Sequence, residues 1–104
     1  MDVRVEFEGL PWMAPAQGIR FKTVVRGTQQ VRLLELSEGF EEREWCTQAH
    51  AFYVLEGEFS LRLRERTLRM KSGDVGLLES GEEHHHKAIV GRGGRARLLM
   101  FEVL

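Results

Sequence analysis

Four histidines and a single cysteine carry most of the metal-binding chemistry open to this chain, and they fall into two short segments. Cys46 stands four residues before His50, while His84, His85 and His86 are consecutive. Imidazole nitrogen, thiolate sulfur and carboxylate oxygen are the donors that hold zinc, iron, copper or nickel. On an extended strand successive side chains face opposite ways. His84 and His86 would then share one face and His85 the other, and Glu44 and Cys46 would likewise share a face. A wall carrying Glu44 and Cys46, opposite a wall carrying His84 and His86 with His50 between them, could hold a metal. The same spacing also fits a solvated corner at the three histidines and a small buried hydrophobe at Cys46.

Short, glycine-punctuated strands must position these groups. Short strands are read over residues 3–8, 21–26, 31–36, 52–56, 59–64, 67–70, 75–78, 84–90 and 96–104, with apolar and polar residues alternating over 3–8 and 59–64. Such a succession, with no stretch of helical period, predicts an all-β sandwich or barrel. Strict alternation at Phe59, Leu61 and Leu63 favours a hairpin turning near Glu65 and Arg66 over a helix through the arginine-rich stretch. Phe7, Phe21, Leu33, Phe59, Leu61, Leu63, Leu68, Leu77, Leu99 and Phe101 read as core. Tyr53 and Trp45 join an apolar body to one polar tip and are candidates for lining a ligand pocket. Residues 41–44 and 62–69 read as solvated charged faces, and Glu35 as an exposed position with a pocket carboxylate as the alternative.

The 104 residues carry 15 basic and 16 acidic side chains, a net charge of −1. That length suits one domain over residues 1–104. The charge balance lacks the basic footprint of a nucleic-acid binder. No apolar run approaches the ~20 residues of a membrane-spanning helix, and the first residues show no secretory leader. A lone cysteine excludes an internal disulfide framework and fits a cytoplasmic location.

Two stretches resemble the motifs of the cupins. Residues 52–58, Phe-Tyr-Val-Leu-Glu-Gly-Glu, are similar to the strand and turn closing the first cupin motif. Gly73, Gly81 and His84 keep the spacing of the second, with Glu79 where proline is usual. The resemblance implies a double-stranded β-helix, the jelly-roll barrel of the cupin type. In the first motif the family's His, His and Glu are replaced by Glu44, Cys46 and His50, while the second-motif histidine is kept as His84. A subset of small cupins is similar in its Trp45-Cys46 pair, His50 and the stretch 81–87.

The resemblance implies a divalent transition metal, zinc, iron, nickel or manganese. Its ligands would be His50 and His84 first, then His86 and Cys46, then Glu44. It further implies an interior site for a small organic ligand and activity as a dioxygenase, isomerase or lyase. The alternative is a non-catalytic ligand-binding or thiol-sensing barrel. The expected partners are a small molecule and a second copy of the chain, with residues 3–7 and 98–104 pairing between copies, and neither nucleic acid nor membrane.

Overall fold

The computed structural model describes residues 3–104; Met1 and Asp2, which open the stretch read for a leader, lie outside the described residues. The chain forms β1 (Met13–Ala16), β2 (Ile19–Arg26), β3 (Gln29–Ser37), β4 (His50–Arg62), β5 (Thr67–Lys71), β6 (Val75–Leu78), β7 (Lys87–Ile89) and β8 (Arg95–Val103). One turn of 3-10 helix, Glu82–His84, precedes β7. Among the described residues every strand pair is antiparallel, and no helix is long and apolar enough to cross a membrane. The neighbours run β1-β2-β3-β8-β4-β5, with β6 and β7 also paired to β4.

β4 organises the rest. Its first half pairs with β8 and β6, and its second half with β5 and β7. His50, Phe52 and Val54 point inward from the first half, whereas Phe59 and Leu61 do so from the second. Strict alternation cannot bring both even and odd positions to one side. A register shift between Val54 and Glu56 inserts the extra residue that changes parity, as a β-bulge does. Both halves then contribute to one core with Leu34 and Leu36 of β3, Ala96 and Leu98 of β8, Met70, Phe40 and Val90.

Gly57 lies just past this bulge with φ +75°, and a Cβ there would collide with the Arg95 carbonyl oxygen. The glycine expected to end a strand therefore sits inside one, and the two segments expected over 52–56 and 59–64 are a single strand. The hairpin forms where alternation placed it, with the Leu63 amide donating to the Arg66 carbonyl at 2.7 Å.

Residues 3–8 are not a strand. Two of their carbonyls are instead taken by cationic side chains: Lys22 donates to the Phe7 oxygen and Arg26 to the Arg4 oxygen. Leu33, Leu99, Leu77 and Phe101, expected in the core, lie on the outer face, the last two with 81% and 47% of their surface exposed. They alternate with the inward-facing Leu34, Leu98, Leu78 and Met100, so their apolar character does not report burial.

Gly57→Ala combines left-handed strain with a backbone collision. It is expected to lower stability by roughly 2–5 kcal/mol in a urea titration. Gly91, which has open space around it, is the control; Gly91→Ala is expected to change stability by less than about 1 kcal/mol.

Candidate functional site

The site is built where two irregular segments meet. The Cys46 amide donates to the His86 carbonyl at 2.9 Å, and the His86 amide returns a bond to the Cys46 carbonyl at 3.0 Å. This reciprocal pair forms an isolated antiparallel bridge. Directly opposed residues of such a pair project their side chains to the same side, about 5.5 Å apart at Cα. His50 opens β4 four residues after Cys46, one position beyond the Ala51–Phe101 pair. The donor atoms of Cys46, His50 and His86 all lie within 4.8 Å of one another. Cys46 Sγ and His50 Nε2 are 3.1 Å apart, and the two imidazoles meet edge to face with centroids 5.2 Å apart.

The surroundings set the state of each group. His86 is buried, and its Nδ1 lies 3.3 Å from the His84 carbonyl. Donation there leaves Nε2 as the lone-pair nitrogen. Burial holds the His50 pKa below the usual imidazole range; His86 and Arg32 lower it further, while Glu102 opposes them. A neutral imidazole is the form that ligates a metal. His50 Nδ1 stands 3.7 Å from Glu102 Oε1, too far for a hydrogen bond.

The three donors face a cavity of about 270 Å³. Ile19, Leu34, Phe52, Leu98 and Met100 give it apolar walls, and Glu42, Arg32 and Glu102 bring charge to it. The Glu42 carboxylate accepts from the Ala88 amide at 2.8 Å, and burial pushes its pKa above the usual carboxylate range.

The structure therefore brings together Cys46, His50 and His86 of the expected set, and leaves out His84 and Glu44. His84 ends the 3-10 turn, half exposed, with Nε2 3.1 Å from Glu79 and 4.0 Å from Glu83. The turn breaks the alternation that would have put His84 beside His86. Glu44 is exposed, because residues 42–49 form no continuous strand that would keep it on the face of Cys46.

Tyr53 and Trp45 do not line the cavity. Tyr53 sits on the outer face of β4, between Val75 and Leu99. Trp45 packs at a tilt against His85, ring centroids 4.3 Å apart, beneath the Lys87 ammonium. Glu35 is also outside, paired with Arg20 and Arg97. Sequence reasoning missed Glu42, Arg32 and Glu102. The available signal was alternation carried past the apolar residues: Phe40 to Glu42, Leu34 to Arg32, and Met100 to Glu102.

The family model described as Cupin domain matches residues 32–102. No curated protein matches the chain. Among solved structures, the polyketide cyclase RemF from Streptomyces resistomycificus superposes with a TM-score of 0.82 at 20% identity, over 97% of this chain and 78% of that one. KdgF from Halomonas sp. gives 0.73 at 18% identity, over 90% and 86%. Hydroxypropylphosphonic acid epoxidase from S. wedmorenis gives 0.74 at 13% identity, over 97% and 59%. At these identities the likeness is one of fold.

The raised Glu42 pKa fixes the sign of a pH effect. A carboxyl ionised less readily in the folded than in the unfolded chain favours folding at low pH, and this advantage fades as pH rises through the folded pKa. Glu42→Gln keeps an acceptor for Ala88 but cannot ionise. In metal-free protein its thermal midpoint is expected to gain on the wild type at pH 8 and to lose that gain at pH 4.

Proposed function

The chain belongs to the Cupin domain family, and we propose that it holds a divalent transition metal on Cys46, His50 and His86 beside a cavity for a small organic molecule. The observation that carries this reading is the convergence of one sulfur and two imidazole donors on the cavity wall. A thiolate with two imidazoles suits zinc, iron or nickel better than manganese, which prefers oxygen donors. Three protein ligands also leave a coordination position open, as in catalytic sites. A bound metal would supply Lewis-acid or redox chemistry at that position.

The residues of the chain hold and shield the site. The Cys46–His86 bridge fixes two ligands, and the His84 carbonyl orients the His86 ring. The apolar wall excludes water from the bound molecule. We take the reaction class to be that of a dioxygenase, isomerase or lyase, and the strands to close into the jelly-roll barrel of the family. The free thiol suits a reducing cytoplasm.

A second copy is proposed to meet the outer face. There Val31, Phe101, Ala51 and Leu77 form one cross-strand row. This face is preferred to pairing through β8, which is already hydrogen-bonded to β3 along its length and to β4 over residues 96–101.

A second reading rests on the 3.1 Å approach of Cys46 Sγ to His50 Nε2. The same geometry would serve a reactive thiol in a metal-free sensor.

Metal content of the tag-free protein, read by mass spectrometry after reconstitution, separates the two. The expected result is one equivalent of a transition metal, falling below a tenth in Cys46→Ala and in His50→Ala and retained in His84→Ala. A wild type that takes up no metal retires the first reading. The second then requires Cys46 to alkylate faster in the wild type than in His50→Ala. For the dimer, light scattering should give twice the chain mass for the wild type and the chain mass for Phe101→Glu.

A further inference from the structure

The inner faces of β3, β4 and β8 turn polar at the same end. Leu36 and Leu34 are followed by Arg32 and Gln30, Leu98 and Met100 by Glu102, and Val54 and Phe52 by His50. Gln30 is buried there, and Thr23 lies directly opposite Arg32 across the β2–β3 pair. Among the described residues, the buried side-chain atoms without a hydrogen-bond partner are Thr23 Oγ1, Arg32 Nε and His50 Nδ1. Native structures keep few such atoms, and two of these, Arg32 Nε and His50 Nδ1, belong to residues at one end of one cavity, which marks a place where a partner group belongs.

The chemistry of these atoms narrows that partner. Arg32 Nε can only donate. Arg32 also carries a full charge, and Glu102 answers it from one side only. Its Oε1 lies 3.9 Å from Arg32 Nη1, beyond hydrogen-bond reach. The Nε edge of the guanidinium therefore has no acceptor. That edge is a planar fork whose spacing matches the two oxygens of a carboxylate. The same Glu102 oxygen faces His50 Nδ1 at 3.7 Å, so the fork and the His50 ligand flank one side chain.

We propose that Arg32 anchors the carboxylate of a small monocarboxylic acid whose apolar body lies along Leu34, Phe52, Leu98 and Met100. This names the ligand class of the site in Proposed function and rests on that reading for the reacting end of the molecule. With the acid on the Arg32 fork, Glu102 is free to accept from His50 Nδ1–H. A metal-bound imidazole commonly donates its other nitrogen to a carboxylate in this way. The volume of about 270 Å³ lies below that of pockets for drug-sized molecules, which sets the scale of the acid.

Benzoate and its neutral isostere benzamide are the probes, titrated calorimetrically into metal-loaded and metal-free protein. Saturable benzoate binding is expected, at least tenfold tighter than benzamide. Arg32→Met should weaken benzoate at least tenfold with unchanged metal content and circular dichroism. Equal affinity for the two probes, wild-type benzoate affinity in Arg32→Met, or no benzoate binding in either form overturns the proposal. The two-probe comparison uses the wild type alone and stands if the variant does not fold. A wild type that takes no metal but binds benzoate through Arg32 sinks the metal reading and leaves the anchor. One equivalent of metal without benzoate binding does the reverse.

Discussion

The pair of backbone hydrogen bonds between Cys46 and His86 is the constraint on which the site depends. Residues 42–49 and 80–86 have little regular structure, and flanking strands alone would not fix their side chains. Two reciprocal bonds lock one residue of each segment face to face. Because such a pair sends both side chains to one side, it converts a distance of 40 positions in sequence into a thiol and an imidazole beside one cavity. His50 needs no such device, since it opens β4 and takes its direction from the strand.

The bulge in β4 does for the core what the bridge does for the site. Without a change of parity, Phe59 and Leu61 would face solvent while His50, Phe52 and Val54 faced inward. One extra residue lets a single strand serve pairings with β8 and β6 at one end and β5 and β7 at the other. Both halves of β4 line the cavity, together with β3 and β8.

Much of this was legible in the residues. Glycine-punctuated alternation announced the all-β architecture, and the resemblance over residues 52–58 and 73–84 pointed to the family. Cys46, His50 and His86 were legible as donors by type. Their separation from His84 and Glu44 was not, because it depends on where alternation stops. A single 3-10 turn puts His84 outside and His86 inside. Leu77 and Phe101 were misplaced for a related reason: an apolar residue on an outer face looks like core until the register is known. Arg32, Glu42 and Glu102 were hidden by their charge, although each continues the inward rhythm of apolar neighbours two positions away.

The place of β8 carries a consequence for how the chain is made. The last strand in sequence lies between β3 and β4, hydrogen-bonded to both. As the polypeptide leaves the ribosome, β3 and the first half of β4 therefore wait with open edges until residues 95–103 arrive. The inward-facing Leu34, Leu36, Phe52 and Val54 have no Ala96 or Leu98 to cover them during that interval. Open edges beside uncovered apolar side chains are the features that recruit chaperones or nucleate aggregates. Loss of the final strand would remove the middle of the sheet rather than its margin. Truncation before residue 95 should thus be felt as strongly as a lesion in the core.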